Sequence, residues 1–283
     1  MDPYEVNEHE IELDETKNLE IDLLLQGIYQ LSGYDFRQYM RSSIWRRIKN
    51  RMRVEKVPTV TRLLEKVIHE PAFIKVLLDD FSINVTEMFR DPHFFYSFRT
   101  KVVPLLKDLP EIRIWHAGCS TGEEVFSMAI LLHEENLLEK AKIYGTDMNE
   151  NILEKAKHGM FPLGKMQNYT KNYLKSGGTH SFSEYYTTDH KYAHFHSALK
   201  KNIIFFQHNL VTDRSFNEFH VIICRNVLIY FNTNLQQQVH ELFYESLCPN
   251  GFLALGDKET IRFVTRADSY IEFDAAEQIY RKV

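Results

Sequence analysis

Two rhythms predict a small all-α domain followed by an α/β domain built on a mostly parallel, Rossmann-like sheet that closes in an antiparallel hairpin. Over the first eighty residues apolar positions recur three or four apart, the period of a helix. From about Phe81 onward short apolar runs alternate with helical stretches, the signature of strands joined by crossovers. The closing YIEFDAAEQIYRKV reads as two strands around a short turn.

In order along the chain, IDLLLQGIYQLSG runs up to Gly33, a residue suited to ending a helix. SSIWRRIKNRMR then sets Ile44, Ile48 and Met52 four apart, and TVTRLLEKVI and PAFIKVLLDDF continue the pattern, with Pro71 suiting a first helical turn. Strands are expected over 112–116, 142–146, 202–208, 219–224 and 251–255, with helices over 123–134, 149–157 and 235–247. Between 176 and 201 the sequence GGTHSFSEYYTTDHKYAHFH, with paired glycines, aromatics and alternation, predicts an inserted β element that interrupts the helix expected before the next strand.

With 283 residues and 44% hydrophobic content, the chain can bury a full core in two modest domains. Its apolar runs fall well short of the roughly 20 residues that span a bilayer. The acidic start MDPYEVNEHEIELDE suits neither a signal nor a transit peptide, so a cytoplasmic location without membrane insertion is expected. Cys119, Cys224 and Cys248 are scattered and form no C-x-x-C, which points to reduced thiols. A net charge of −5 argues against nucleic acid as partner, yet the charge is uneven: nine acids and one lysine in residues 1–22, six bases and no acid in 41–53. Such a basic run is either a solvated helix face or a footprint for an acidic partner.

The stretch IRIWHAGCSTGEE at 112–124 allows two chemistries. As G-x-S-x-G it matches a nucleophile elbow on Ser120; as a glycine-bearing loop after a first strand it matches a cradle for a nucleotide-like ligand. The elbow needs a downstream acid and histidine, for which Asp213 with His220 or His240 are the formal candidates. His220 opens an apolar strand and His240 falls inside a helix, and neither is a late-loop position. The cradle needs an acid at the end of the second strand to receive ribose hydroxyls, and Asp147 stands there, where it could equally be an N-cap. Glu123 and Glu124 after Gly122 complement a helix dipole but oppose a pyrophosphate, so NAD and FAD fit poorly. S-adenosylmethionine, with a ribose, a sulfonium and an ammonium, fits better.

Four separated motifs then carry a resemblance: Asn84-Val85-Thr86-Glu87-Met88-Phe89-Arg90-Asp91, Ala117-Gly118-Cys119-Ser120-Thr121-Gly122-Glu123-Glu124, Tyr144-Gly145-Thr146-Asp147 and Cys224-Arg225-Asn226-Val227-Leu228-Ile229-Tyr230-Phe231. In order and spacing the chain resembles the CheR-type chemoreceptor glutamate O-methyltransferases along nearly its whole length. The resemblance implies a class I S-adenosylmethionine-dependent methyltransferase domain over 92–283 with an inserted β-subdomain near 178–201. Residues 1–80 would form an acidic leader and N-terminal helical domain, and 81–91 a linker contributing to the cofactor site.

By the same resemblance, Asn84, Thr86 and Arg90 close over the cofactor, Gly118, Glu124 and Asp147 hold it from the sheet side, Asn209 and Leu210 flank the adenine, and Arg225 with Asn226 completes the pocket. The implied reaction moves the sulfonium methyl to a glutamate carboxylate, leaving S-adenosylhomocysteine. A carboxylate is already ionised at neutral pH, so alignment and exclusion of water are what the enzyme must supply, with Arg90 and the Tyr230 hydroxyl as the groups expected to orient it. The implied partner is the cytoplasmic domain of a chemoreceptor, a methyl-accepting chemotaxis protein. Arg46, Arg47, Lys49, Arg51 and Arg53 would steer it, and the β-subdomain could accept a receptor tether peptide as an added strand. His190, His194 and His196 lack a fourth ligand, and no metal is expected. Against the commonest family pattern, His116 stands for serine, Val125 for proline, and Gly256-Asp257-Lys258-Glu259-Thr260 for a histidine-serine or serine-rich run.

Overall fold

The computed structural model describes residues 15–82, 85–262 and 264–283. The acidic leader before Glu15 and the linker residue Asn84 lie outside the described residues. The chain divides into two compact units, Met1–Ile83 with Tyr230–Leu235, and Asn84–Ile229 with Gln236–Val283.

The first unit is helical: α1 Glu15–Ser32, α2 Arg41–Glu55, α3 Val60–His69 and α4 Pro71–Phe81. On α1 the buried Ile21, Leu24, Leu25 and Ile28 follow the 0, 3, 4, 7 spacing of a single helix face. The helix stops at Gly33, whose φ of +77° suits a residue without a Cβ and whose N–H returns to the Tyr29 carbonyl at 2.8 Å. On α2 only Ile44 and Ile48 are fully buried, so most of the helix faces outward. Leu63 and Val67 of α3 and Phe73, Leu77 and Phe81 of α4 fill the same small core. The segment after Ile229 joins this unit by backbone pairing: Met40 N–H donates to the Tyr230 carbonyl and Asn232 N–H to that of Gln38.

The second unit opens with α5 Pro92–Ser97, a π turn Phe98–Val102 and α6 Val103–Leu106, then β1 Ile112–Ala117, α7 Glu123–Glu134, β2 Ala141–Asp147 and α8 Glu150–His158. It continues through β3 Met160–Pro162, α9 Met166–Lys175, β4 Tyr186–Thr188, β5 Tyr192–Phe195, α10 Ser197–Lys200, β6 Ile203–Gln207 and β7 Phe219–Cys224. The last elements are α11 Thr233–Ser246, β8 Leu247–Leu255, β9 Tyr270–Asp274 and β10 Ile279–Lys282. Its main sheet has the order β6-β2-β1-β7-β8-β10-β9. All pairings from β6 to β8 are parallel, and β10 runs antiparallel to both β8 and β9. The inner strands β1 and β7 are buried almost throughout, as expected for strands covered on both faces.

The inserted β element is larger than the expected 178–201. Its three strands are ordered β3-β5-β4, so it borrows residues 160–162 from before α9. The ten-residue α9 also stands where no helix was expected. A buried carboxylate ties this element to the main domain: Glu134 receives the hydroxyls of Tyr173 and Tyr185, the Thr179 N–H and the Arg99 guanidinium. Burial alone would raise its pKa, but these donors bring it down to about 2.

Candidate functional site at the strand ends

The order β6-β2-β1-β7 turns back at β1: the chain leaves β1 on one side through β2 and β6 and then returns to its other side as β7. In such open sheets the crevice at the carboxyl ends of the strands, beside that reversal, is where ligands sit. Gly118, Asp147, Asn209 and Asn226 all follow or close those carboxyl ends.

The loop after β1 is held by backbone geometry. Gly118 and Cys119 both donate to the Thr146 carbonyl at 2.8 Å. Three of its residues have positive φ, Gly118 at +77°, Ser120 at +51° and Gly122 at +90°. A Cβ at Gly118 would stand 2.6 Å from the Val227 Cγ2, so only glycine lets the loops after β1 and β7 touch. Ser120 N–H donates to Asp147 Oδ2 and Asn149 N–H to Asp147 Oδ1, each at 3.0 Å. The cap of α8 is Asn149, whose side chain accepts the Asn151 N–H, so Asp147 is free of that duty. Burial pushes the Asp147 carboxyl up, and among the described residues no cation pairs with it.

The two glutamates after Gly122 part company. Glu123 is buried against Thr121, Tyr169 and Lys165, and burial raises its pKa. Glu124 pairs with Arg225 at 3.1 Å and meets His116 Nδ1 at 3.0 Å; burial opposes ionisation, but these two partners lower its pKa. The expectation that a like-charged pair faces the ligand is therefore corrected: successive helix positions diverge by about 100°, and only one carboxylate belongs to this cluster.

Arg225 is almost fully buried and pairs with Asp91 at 2.6 Å as well as Glu124, its guanidinium lying 4.3 Å from the Phe94 ring centre. It also donates to the Arg90 carbonyl, so it clasps the linker to α7. Buried Phe89 pins that linker further, its N–H donating to Ser127 Oγ at 2.9 Å. Thr86 is partly exposed, and Arg90 donates to the Val85 carbonyl. Asn209 forms a tight turn: its N–H reaches Asp213 Oδ2 and its side chain accepts the Val211 N–H, with Leu210 between them. Asn226, at φ +61°, donates its N–H to Glu259. Asp91, Ser127 and Glu259 were not among the expected site residues, because each reads locally as an ordinary loop or helix polar residue.

Tyr230 belongs to the first unit and Arg90 to the second. Within the first unit Arg47 lies over the Tyr230 ring at 5.6 Å. The basic run is divided: Arg51 is spent on Asp80 and Glu55, and Arg47 is partly covered, while Arg46, Lys49 and Arg53 are exposed and, among the described residues, carry no ion pair. Lys56, missed from the sequence, extends that row.

A serine triad is absent from the described residues. Asp213 is engaged by Asn209 and Thr212, the His220 Nδ1 accepts the Arg113 N–H, and His240 is buried with neither ring nitrogen bonded. Among the described residues no three His, Cys, Asp or Glu side chains converge as metal ligands, and His194 is paired with Asp189 at 2.7 Å. No helix of the described residues is long and apolar enough to cross a membrane.

A parallel sheet that reverses its order at β1, with a glycine loop and a strand-end carboxylate beside the reversal, defines a Rossmann-like domain with a nucleoside-type crevice. Residues 84–276 match the family model described as CheR methyltransferase, SAM binding domain, and residues 19–82 that described as CheR methyltransferase, all-alpha domain. The chain belongs to the CheR methyltransferase family, whose members use S-adenosylmethionine as methyl donor. Over 265 residues it is 46% identical to "Putative methyltransferase Cher3" of Pseudomonas putida, covering 94% of this chain and 97% of that one. It is 30% identical to a chemotaxis protein methyltransferase of Borreliella burgdorferi, over 60% of this chain and 63% of that one. A protein of the same name from Listeria monocytogenes is 28% identical over 81% and 85% of the two chains.

Proposed function

We propose that this enzyme methylates glutamate side chains on the cytoplasmic helices of chemoreceptors, converting carboxylates to γ-glutamyl methyl esters with release of S-adenosylhomocysteine. The observation that carries the cofactor half of this reading is Asp147, a partly buried carboxylate at a strand end with the backbone N–H groups of Ser120, Met148 and Asn149 as donors and no cationic partner among the described residues. A ligand with vicinal hydroxyls and positive charge supplies what that carboxylate lacks. The glycine loop at Gly118 lets backbone approach closely, and Asn209 and Leu210 stand at the neighbouring strand end for the base. The receptor half rests on relatives named chemotaxis protein methyltransferase and on the exposed cations of α2.

S-adenosylmethionine, once bound, supplies an electrophilic methyl on a sulfonium. A glutamate acceptor is already ionised at neutral pH, so no residue of the chain would have to move a proton. The chain's task is to orient the incoming carboxylate, the role assigned to Arg90 and the Tyr230 hydroxyl, and to keep water away. Glu124, already neutralised by Arg225, contributes by holding the linker that carries Arg90.

Incubation with methyl-labelled donor and receptor cytoplasmic domains tests the reaction. The expected label is released as methanol by mild base. Base-stable label rules out a carboxyl ester and moves the activity to another acceptor.

A further inference from the structure

One buried carboxylate holds more of the loop after β7 than the single Asn226 bond described above. Glu259, 5% exposed, receives five backbone N–H groups: those of Val227, Leu228 and Ile229 at Oε1, at 2.9, 2.8 and 3.3 Å, and those of Asn226 and Gly256 at Oε2, at 2.9 and 2.7 Å. Among the described residues it has no cationic partner. It therefore caps, from some thirty residues away in sequence, the turn that follows β7, and it holds Asn226 in the left-handed region at φ +61°.

The segment so held is the one on which three parts of the strand-end site converge. Its Arg225 reaches Asp91 of the linker and Glu124 of α7, and its Val227 fills the space above Gly118. We propose that Glu259 is a positioning residue for the cofactor site: by collecting the backbone donors of residues 226–229 it fixes the loop after β7 in the one conformation that presents Asn226, Arg225 and Val227 to the glycine loop and linker. This rests on the reading that the strand-end crevice holds S-adenosylmethionine.

A glutamine at this position has one acceptor atom instead of two and turns an NH2 group toward N–H donors, so the cap fails on one side without a change in volume. Gly256→Ala attacks the same contact from outside, because its Cβ would stand 2.8 Å from Glu259 Oε2 and 2.9 Å from the Asn226 nitrogen. Glu134→Gln is the stability control, since Glu134 is an equally buried carboxylate on the far end of α7 with no part in the strand-end loops.

Calorimetric titration with S-adenosylhomocysteine, well below each variant's melting temperature, reads the result. Glu259→Gln and Gly256→Ala are expected to raise the dissociation constant about 10- to 100-fold, the scale of a site displaced by a fraction of an ångström to one ångström. Glu134→Gln should melt earlier yet bind normally. If Glu259→Gln lowers only the melting temperature, or if Glu134→Gln weakens binding as much, the positioning role is overturned. Should Glu259→Gln not fold, Gly256→Ala decides between the same two outcomes. Asp147→Asn distinguishes a failure of the Glu259 role from a failure of the cofactor site: binding lost in Asp147→Asn but normal in Glu259→Gln rejects only the role of Glu259, whereas binding normal in both rejects the crevice as cofactor site.

Discussion

Charge at the strand ends is partitioned residue by residue. Glu124 and Arg225 neutralise each other inside the domain, Glu123 is turned away into a buried hydrogen-bond set, and Asp147 keeps an uncompensated carboxylate. A buried ion pair contributes little net stability over an apolar pair of the same shape, and its use here is to fix the linker beside α7. The opposite case is His240, whose ring packs near Phe243 with neither nitrogen bonded among the described residues. Burial pushes its pKa down to about 4. Because the folded value lies below the ordinary one near 6.5, the unfolded chain takes up the proton first, and stability is lost as pH falls from about 6.5 toward 4. His240→Leu should flatten that part of the profile, measured as the urea midpoint at pH 7 and pH 5. An unchanged slope means that His240 stays neutral in both states or is protonated in the fold.

At the scale of elements, the contact between the loops after β1 and β7 is narrow enough to be tested by one methyl group. Gly118→Ala meets Val227 at 2.6 Å and forces alanine to φ +77°, each of which costs about 1–3 kcal/mol. Val227→Ala in the same chain should recover the steric share but not the backbone share, so S-adenosylhomocysteine affinity returns in part. Full recovery shows that only the clash mattered. Elements of this kind were legible where pattern and terminator agree: α7 was expected at 123–134 and β7 at 219–224, and both are found there because an apolar run meets a glycine loop or a charged residue at its end. The polar α9, MQNYTKNYLK, was not legible, since it buries only Met166, Tyr169 and Tyr173 and has no capping residue. Nor was β3, three residues long and paired only with β5, a partner thirty residues later. Within the site, Gly118 and Asp147 carry a local signature, whereas Glu259 acts through backbone groups that no side-chain pattern announces.

For the whole molecule, net charge and local charge have opposite signs. At −5 overall the protein repels an acidic partner at long range, so capture falls to a local row of cations. Arg46, Lys49, Arg53 and Lys56 are spaced three, four and three apart and are exposed, which puts them along one face of α2 and its exit. Arg51 belongs to the fold instead, tying α2 to Asp80 of α4, and its replacement by alanine should cost roughly 1–2 kcal/mol of stability with little change in receptor capture. The triple reversal Arg46→Glu, Lys49→Glu and Arg53→Glu should leave stability and S-adenosylhomocysteine affinity near the parent values. It should lower kcat/KM for a receptor cytoplasmic domain about 10- to 100-fold at low salt, mostly through slower association. Raising salt shortens the Debye length from about 10 Å at 0.1 M toward 3 Å at 1 M, so the parent should lose receptor activity as salt rises while the reversed variant, in which repulsion replaces attraction, should hold or gain activity. If salt weakens receptor methylation and S-adenosylhomocysteine binding in the parent to the same degree, the α2 cations are not the receptor's docking face and the run is a solvated surface.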